Sequence, residues 1–474
     1  MDLRTVLPII LLSAFLYAAN ITAANITVSP VYDFFKVAYK YASGPGFAVA
    51  IGIDHKQYNI TLFTEEGYRR WMNGTPGAAV YNGVLRWGDV LIIDVPPGRH
   101  VLAVYPIPFS FETQTYIMTY REWAPVGVVS LGWVKAEAVA GYFEIHRLKA
   151  RGVAPSGKSG VNGTSIQLNA IVVLELADGG KQYYFVQNTL GLLTDERKYS
   201  FAVNIYNYTS GSGYLSRDAI RGRGGDYWSI YAPSYYGYKT REERYRLPFS
   251  GFLIINVSAV EGVAKVDFGY NVGGGVVWYD SVTIKPYAPV EGAYIMAGPV
   301  TTPAPRAANV PIIPFTTLVG LIASLELVLC GYGVATERLG TSRVLVTSID
   351  SRYAVLEEVD VRMALLVWNG SAWRPAPRIY NFGFNTEEEV ALDVETQLVN
   401  GTVRIAKGTF KPQLLALEPP EPEIPPPHAQ FAAETLAVDT YLPLALAAFI
   451  FAIASGVWIR RRVGRARRRS FRRL

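Results

Sequence analysis

Short apolar runs and runs of alternating apolar and polar residues recur from Val28 to Lys407, separated by Gly, Pro or Asp. Period-two alternation specifies strands, because successive side chains of a strand leave on opposite faces. AVAIGI (48–53), YNITLF (58–63), VLIIDV (90–95) and HVLAVY (100–105) are such runs, and FTEEGYRRWMNG within 62–74 carries one helical turn. DVPPGRH (94–100) reads as a tight turn. Further on, SIQLNAIVVLEL (165–176), KQYYFVQ (181–187), and residues 252–260, 263–270 and 275–284 are rich in Val, Ile, Tyr and Phe. Asp178-Gly179-Gly180 between two of them is a hairpin signal. The pattern predicts a mainly β chain of sandwich type, with an N-terminal β-sandwich over 25–115 and a larger β domain over 116–415.

Three stretches break the pattern. Tyr214–Arg246 holds many Tyr, Arg and Gly and reads as a surface loop, or as a flap in which Tyr235, Tyr236 and Tyr238 contact a polypeptide. Val310–Ala335 is strongly apolar, but Glu326, Pro311, Pro314, Gly320 and Gly331 interrupt it. It is expected to form buried strands joined by a turn, with Glu326 facing a cleft, because a charge at mid-membrane is costly. LEPPEPEIPPP, within the spacer 416–440, is expected to be extended.

Both ends carry targeting patterns. Residues 1–24 have a charged start, an apolar stretch and small residues near Ala23-Ala24, which predicts a cleavable signal peptide. Tyr441–Ile459 is free of charge and long enough to span a bilayer core of about 30 Å. The following RRRVGRARRRSFRRL (460–474) is basic without an acid, so it is expected on the cytoplasmic side against anionic lipid head groups, with everything before Tyr441 outside.

Composition changes the picture in two places. The net charge of +6 resides in that tail. The segment between the signal and the span is slightly acidic, which argues against nucleic acid as a partner. Cys330 is the only cysteine, so no intrachain disulfide forms, and its apolar surroundings make it a buried small side chain. Asn-x-Ser/Thr sequons at Asn25, Asn59, Asn73, Asn162, Asn207, Asn256, Asn369 and Asn400 predict a glycosylated surface.

Candidate chemistry narrows by exclusion. GVAPSGKS (152–159) matches the phosphate-loop pattern, but glycines and a sequon follow where a helix must start, so nucleotide binding is not expected. The four His are not at metal-ligand spacing, and neither a zincin motif nor a serine-nucleophile elbow occurs. No metal or cofactor is expected. Hydrolysis would then use carboxyl groups, since two carboxyls sharing a proton can activate water and protonate a leaving group.

From Ala124 the chain resembles the thermopsin family, acid endopeptidases of archaea. The segments that carry the resemblance are APVGVVSLG (124–132), SIQLN (165–169), YYFVQN (183–188), NIYNYT (204–209), WYDSVTI (278–284), LELVLCG (325–331) and NFGFNTEE (381–388), in the family's order. The resemblance implies an acid endopeptidase acting on polypeptides, and it points to Glu326, then Glu388, then Asp280 as the acids retained at matching positions. The apolar flanks of Glu326 would keep its carboxyl protonated in mild acid. Two positions depart from the family pattern: Ser324 and Asn385 stand where the family has Asp. The alternative is therefore an inactive cell-surface or envelope glycoprotein that keeps the fold to bind polypeptide or glycan. Glycoside hydrolysis, which also uses two carboxyls, is a third possibility.

Overall fold

The computed structural model describes residues 22–23, 26–27, 31–32, 38–53, 55–107, 115–153, 160–209, 215, 217–229, 232–305, 320–332, 337–339, 343–345, 352–383, 385–386 and 388–415. Residues 1–21, Asn25, and residues 154–159, 416–440 and 441–474 lie outside the described residues, and with them most of the expected signal peptide, the expected spacer and the expected span. Among the described residues no helix is long and apolar enough to cross a membrane. The chain is mainly β, as the alternation predicts.

The first part is a six-stranded sheet. Its long strands β1 (Ala38–Gly52) and β4 (Val90–Ile107) pair antiparallel. β2 (Gln57–Thr64) lies between β4 and β3 (Ala79–Leu85), and β5 (Thr115–Tyr120) pairs with β1. The turn expected at 94–100 is instead an irregularity inside β4, where Gly44 faces both Pro97 and Gly98. Proline cannot donate to the ladder, and Gly98, at φ +104°, takes a backbone shape that favours glycine, so the strand bends without ending. Ala48 and Ile93 from one side of this bend pack in one cluster with Ile60, Leu102 and Val104 from the other. The helical turn expected within 62–74 is α1 (Glu65–Met72). Thr64 caps it by accepting from Gly67 N, and Glu65 and Glu66 complement its N-terminal dipole.

The larger part is two facing sheets. One has the central order β11 (Ala232–Lys239), β10 (Lys198–Asn207), β9 (Lys181–Leu193), β8 (Gly163–Leu176), β16 (Leu325–Gly331), β6 (Val126–Ser130), β18 (Ile379–Phe382). The other runs β14 (Val277–Ile284), β13 (Val263–Asn271), β12 (Phe249–Val260), β7 (Ala138–Val153), β17 (Tyr353–Trp368), while β15 (Val290–Ala297) pairs with β8 of the first. One apolar core lies between them. Leu168, Val186 and Leu327 of the first sheet meet Val139, Phe143, Leu253 and Leu365 of the second. Each such side chain contributes about 1.5–3 kcal/mol on leaving water. The Asp178-Gly179 turn joins β8 to β9 as expected, with Gly179 at φ +81° and Asp178 accepting from Gly180 N.

Two sequence expectations gain detail. Part of the stretch read as a loop over 214–246 is ordered strand: Gly225–Ser229 pairs with β11, which pairs with β10. Within the apolar stretch 310–335, Gly320–Ile322 and β16 are strands, and Glu326 is fully buried on β16.

Candidate active site

Strand β8 sorts its residues by period two. Ile166, Leu168, Ala170 and Val172 enter the core, which turns Ser165, Gln167 and Asn169 to the opposite face. Register then builds a polar row perpendicular to the strands. Glu326 of β16 is opposite Asn169 of β8, Asn169 is opposite Gln187 of β9, and Gln187 is opposite Asn204 of β10. The amides connect in one direction. Asn204 Nδ2 donates to Gln187 Oε1 (3.3 Å), and Gln187 Nε2 donates to Asn169 Oδ1 (3.2 Å) and to Gln167 Oε1 (3.1 Å). Aromatic rings continue this face beside the row, with Tyr206 against Phe185 and stacked on Tyr235.

The loop after β18 lies on the row. Asn385 N donates to both carboxyl oxygens of Glu326 at 3.2 Å, and Ser324 Oγ donates to Glu326 Oε1 at 2.6 Å. Asn385 Nδ2 donates to Ser324 Oγ (2.8 Å) and to the Ile322 carbonyl (3.0 Å). Glu388, half-buried, accepts from Thr386 Oγ1 and from Gln167 Nε2 (3.4 Å). Glu388 is thus tied by hydrogen bonds to the Gln167–Gln187–Asn169 chain, which ends register-opposite Glu326, while Glu326 itself is held by Ser324 and by Asn385 of the loop that carries Glu388. Removal from water disfavours charge on Glu326, while its donors favour it.

Three buried polar atoms here have no hydrogen-bond partner among the described residues: Asn169 Nδ2, Asn385 Oδ1 and Thr189 Oγ1. Asn169 is register-opposite Glu326, Asn385 bonds to Glu326, and Thr189 is opposite Gln167. Buried polar groups are almost always paired by protein or by ordered water, so these open donors and acceptors set the surroundings of Glu326 apart as a candidate site. Cys330 lies in the same region with Ser165 Oγ 3.3 Å from its sulfur. Burial first, then the charges of Glu388 and Glu326, push its thiol well above the ordinary range, which makes it an inert neutral side chain.

Asp280 is not in this network. It sits on β14 in the other sheet, fully buried. Its Oδ1 accepts from Arg223 N (3.0 Å) and Ser281 N (2.9 Å), and its Oδ2 from Tyr236 Oη (2.7 Å). Burial raises its pKa, and the Arg223, Tyr236 and Ser281 bonds pull it back in part. Of the tyrosines expected to meet a polypeptide, Tyr235 and Tyr236 are buried and Tyr238 is half-buried. Asn73, Asn162, Asn369 and Asn400 are exposed, and Asn59 and Asn207 are half-buried. Asn256 needs correction as a glycan site. It is 3 % exposed and its Nδ2 donates to Asp267, so the folded chain has no room for a glycan there.

Gln167, Asn169, Gln187, Asn204 and Thr189 were not singled out from sequence as site residues. Their signal was present as polar residues at alternate positions of otherwise apolar strands. Among the described residues no group of three or more His, Cys, Asp or Glu could hold a metal ion. A family model described as Thermopsin matches residues 112–392. No curated protein gives a significant match to the chain.

Proposed function

The chain belongs to the thermopsin family, and from that premise we propose that it is an acid endopeptidase working through Glu326 and Glu388. The family is one of acid endopeptidases, which supports a peptidase with polypeptide substrates. The single observation that carries the finer reading is that both acids meet one polar row, Glu388 by its bond to Gln167 and Glu326 by register with Asn169, with open hydrogen-bonding atoms beside Glu326. In this reading water attacks the scissile carbonyl carbon. One carboxylate accepts the water proton, and the protonated partner delivers a proton to the leaving nitrogen. Asn169 Nδ2 donates to the oxygen on which charge develops, held in place by the Asn204–Gln187 amide chain. On sequence grounds we place the enzyme outside the cell, anchored by residues 441–459 with its Arg-rich tail against anionic lipid, and glycosylated at its exposed sequons.

A specific observation favours a second reading. The two positions where the family pattern has Asp are here Ser324 and Asn385. They touch each other and Glu326 directly. Three positions that would bring three carboxyls together thus hold one, which is the arrangement of a fold kept for binding polypeptide without cleaving it.

The deciding experiment is cleavage of an unfolded polypeptide by the purified full chain in acid and at neutral pH, with the double variant Ser324→Asp/Asn385→Asp beside it. Acid-dependent cleavage by the natural chain supports the peptidase. An inert natural chain whose double variant cleaves in acid supports the second reading. A folded natural chain and a folded double variant that are both inert would sink the carboxyl mechanism.

A further inference from the structure

The six-stranded sheet of the first part lies mostly outside the residues matched to the family, yet one of its side chains reaches the catalytic loop. Tyr120, at the end of β5, is buried, and its hydroxyl donates to the carbonyl of Gly383 at 2.6 Å. Its ring stacks on Phe47 of β1 with centroids 4.7 Å apart. Phe47 in turn lies against Phe382 and Phe410, at 6.3 and 5.6 Å. The hydroxyl is therefore fixed by a packed aromatic group that spans both parts of the molecule.

Gly383 is the residue at which β18 gives way to the loop carrying Asn385, Thr386 and Glu388. Both of its backbone polar groups are held, the N–H by the Pro125 carbonyl (3.0 Å) and the C=O by Tyr120. Its backbone also packs on the site itself. A Cβ at this position would meet Val328 Cγ1 at 2.7 Å and Glu326 Oε2 at 3.2 Å. Two residues further on, Asn385 N bonds both oxygens of Glu326. Any shift of Gly383 is transmitted over two peptide units to those bonds, and over five to Glu388.

We infer that Tyr120 is a positioning residue, through which the N-terminal sheet sets the height and tilt of the loop holding Asn385 and Glu388 over Glu326. The kinetic consequence rests on the peptidase reading; the structural one does not. The sheet is then a working part of the active site, and its removal would leave Glu326 in place with its partner loop unguided.

The test compares Tyr120→Phe with Tyr184→Phe in the full chain. Tyr184 is equally buried, and its hydroxyl bond, 2.7 Å to Gln182 Oε1, lies outside this loop. Tyr120→Phe is expected to speed hydrogen exchange of the peptide covering 383–389 about tenfold, the loss of one buried hydrogen bond. It is also expected to lower kcat for acid cleavage about tenfold while KM stays within about twofold. Tyr184→Phe should leave both unchanged. Unaltered loop exchange in Tyr120→Phe, an equal change in Tyr184→Phe, or faster exchange with unchanged kcat would each overturn the inference. If the natural chain cleaves nothing, the peptidase reading fails by itself, and the exchange comparison still decides whether Tyr120 holds the loop.

Discussion

Two buried acidic clusters face different fates in this molecule. Asp267 and Asp280 lie on strands of one sheet, Glu326 lies on a strand of the other, and the half-buried Glu388 is in the loop that follows β18. Asp267, Asp280 and Glu326 are all at most 1 % exposed. In the first cluster the oxygens are closed by donors that are themselves fixed. Asp280 takes two backbone N–H groups and Tyr236, and Asp267 takes Ser281 Oγ (2.5 Å), Asn256 Nδ2 (3.2 Å) and Lys265 (3.6 Å). In the second cluster, open atoms on Asn169, Asn385 and Thr189 remain beside the carboxyl. A buried polar group left open costs about 1–3 kcal/mol. Closure is what a structural acid needs; openness is tolerated where a ligand will complete the set.

The comparison is tested most sharply by activity. Glu326→Gln is expected to reduce acid cleavage by about 10³-fold, the scale of general acid–base catalysis, whereas Asp280→Asn should leave cleavage per folded molecule within about threefold. Steady-state kinetics on the folded fraction checks this, and equal losses would erase the distinction between the clusters. Asn169→Ala comes next. Removing one donor to a developing oxyanion is expected to lower kcat about 10²-fold with little change in KM. A rise in KM at constant kcat would reassign Asn169 to ground-state binding.

The sequence disclosed these clusters unequally. The strands follow from alternation: the six residues Ser165 to Ala170 already divide into a core file and a polar file. Glu326 was visible because a charge inside LELVLCG needs a reason, and Glu388 because it ends a family segment. The row itself was hidden, since Asn169 meets Glu326 only through register between strands distant in the chain, and period two does not specify which strands become neighbours. Tyr235 and Tyr236 were singled out through composition, and both are buried. Tyrosine suits both a wet surface and a core with a hydroxyl partner, and here Asp280 provides that partner for Tyr236. For Asp280 the donors are mostly backbone N–H groups, which leave no mark in a sequence.

Stability separates the clusters less strongly. Asp280→Asn is expected to cost about 2 kcal/mol at neutral pH, because an amide cannot accept from Arg223, Ser281 and Tyr236 together. Burial raises the folded-state pKa of both Asp280 and Asp267 above the ordinary carboxyl value of 3.8. The part of their contribution that depends on protonation is therefore full below about pH 3.8 and is lost as pH rises through the folded-state values, leaving the hydrogen bonds that Asn would lose. Acidification into that window should raise the unfolding free energy of the natural chain relative to Asp267→Asn/Asp280→Asn. Denaturant melts at several pH values measure it, and a natural chain with the same slope as the double variant would refute it.

The smallest effect belongs to an acid at the rim. Asp360 on β17 accepts from Arg404 twice, at 2.7 and 3.0 Å, and the side chains are 15 % and 29 % exposed. The Arg404 bond, with its charge, holds the Asp360 carboxyl below its ordinary range. The sign is opposite to that of the buried pair: the contribution is present above the unfolded value of 3.8 and disappears as pH falls through the lower folded value. Water screens the pair, so Arg404→Met is expected to cost no more than about 1 kcal/mol at neutral pH and nothing measurable at strongly acid pH. This acid would weaken the fold under the conditions that strengthen Asp267 and Asp280. In acid the Asp360 contribution is gone while that of Asp267 and Asp280 is full, so Arg404→Met should lower stability at neutral pH without touching it in acid. Equal destabilisation at both pH values would show that Arg404 acts by packing along β17 instead of by charge.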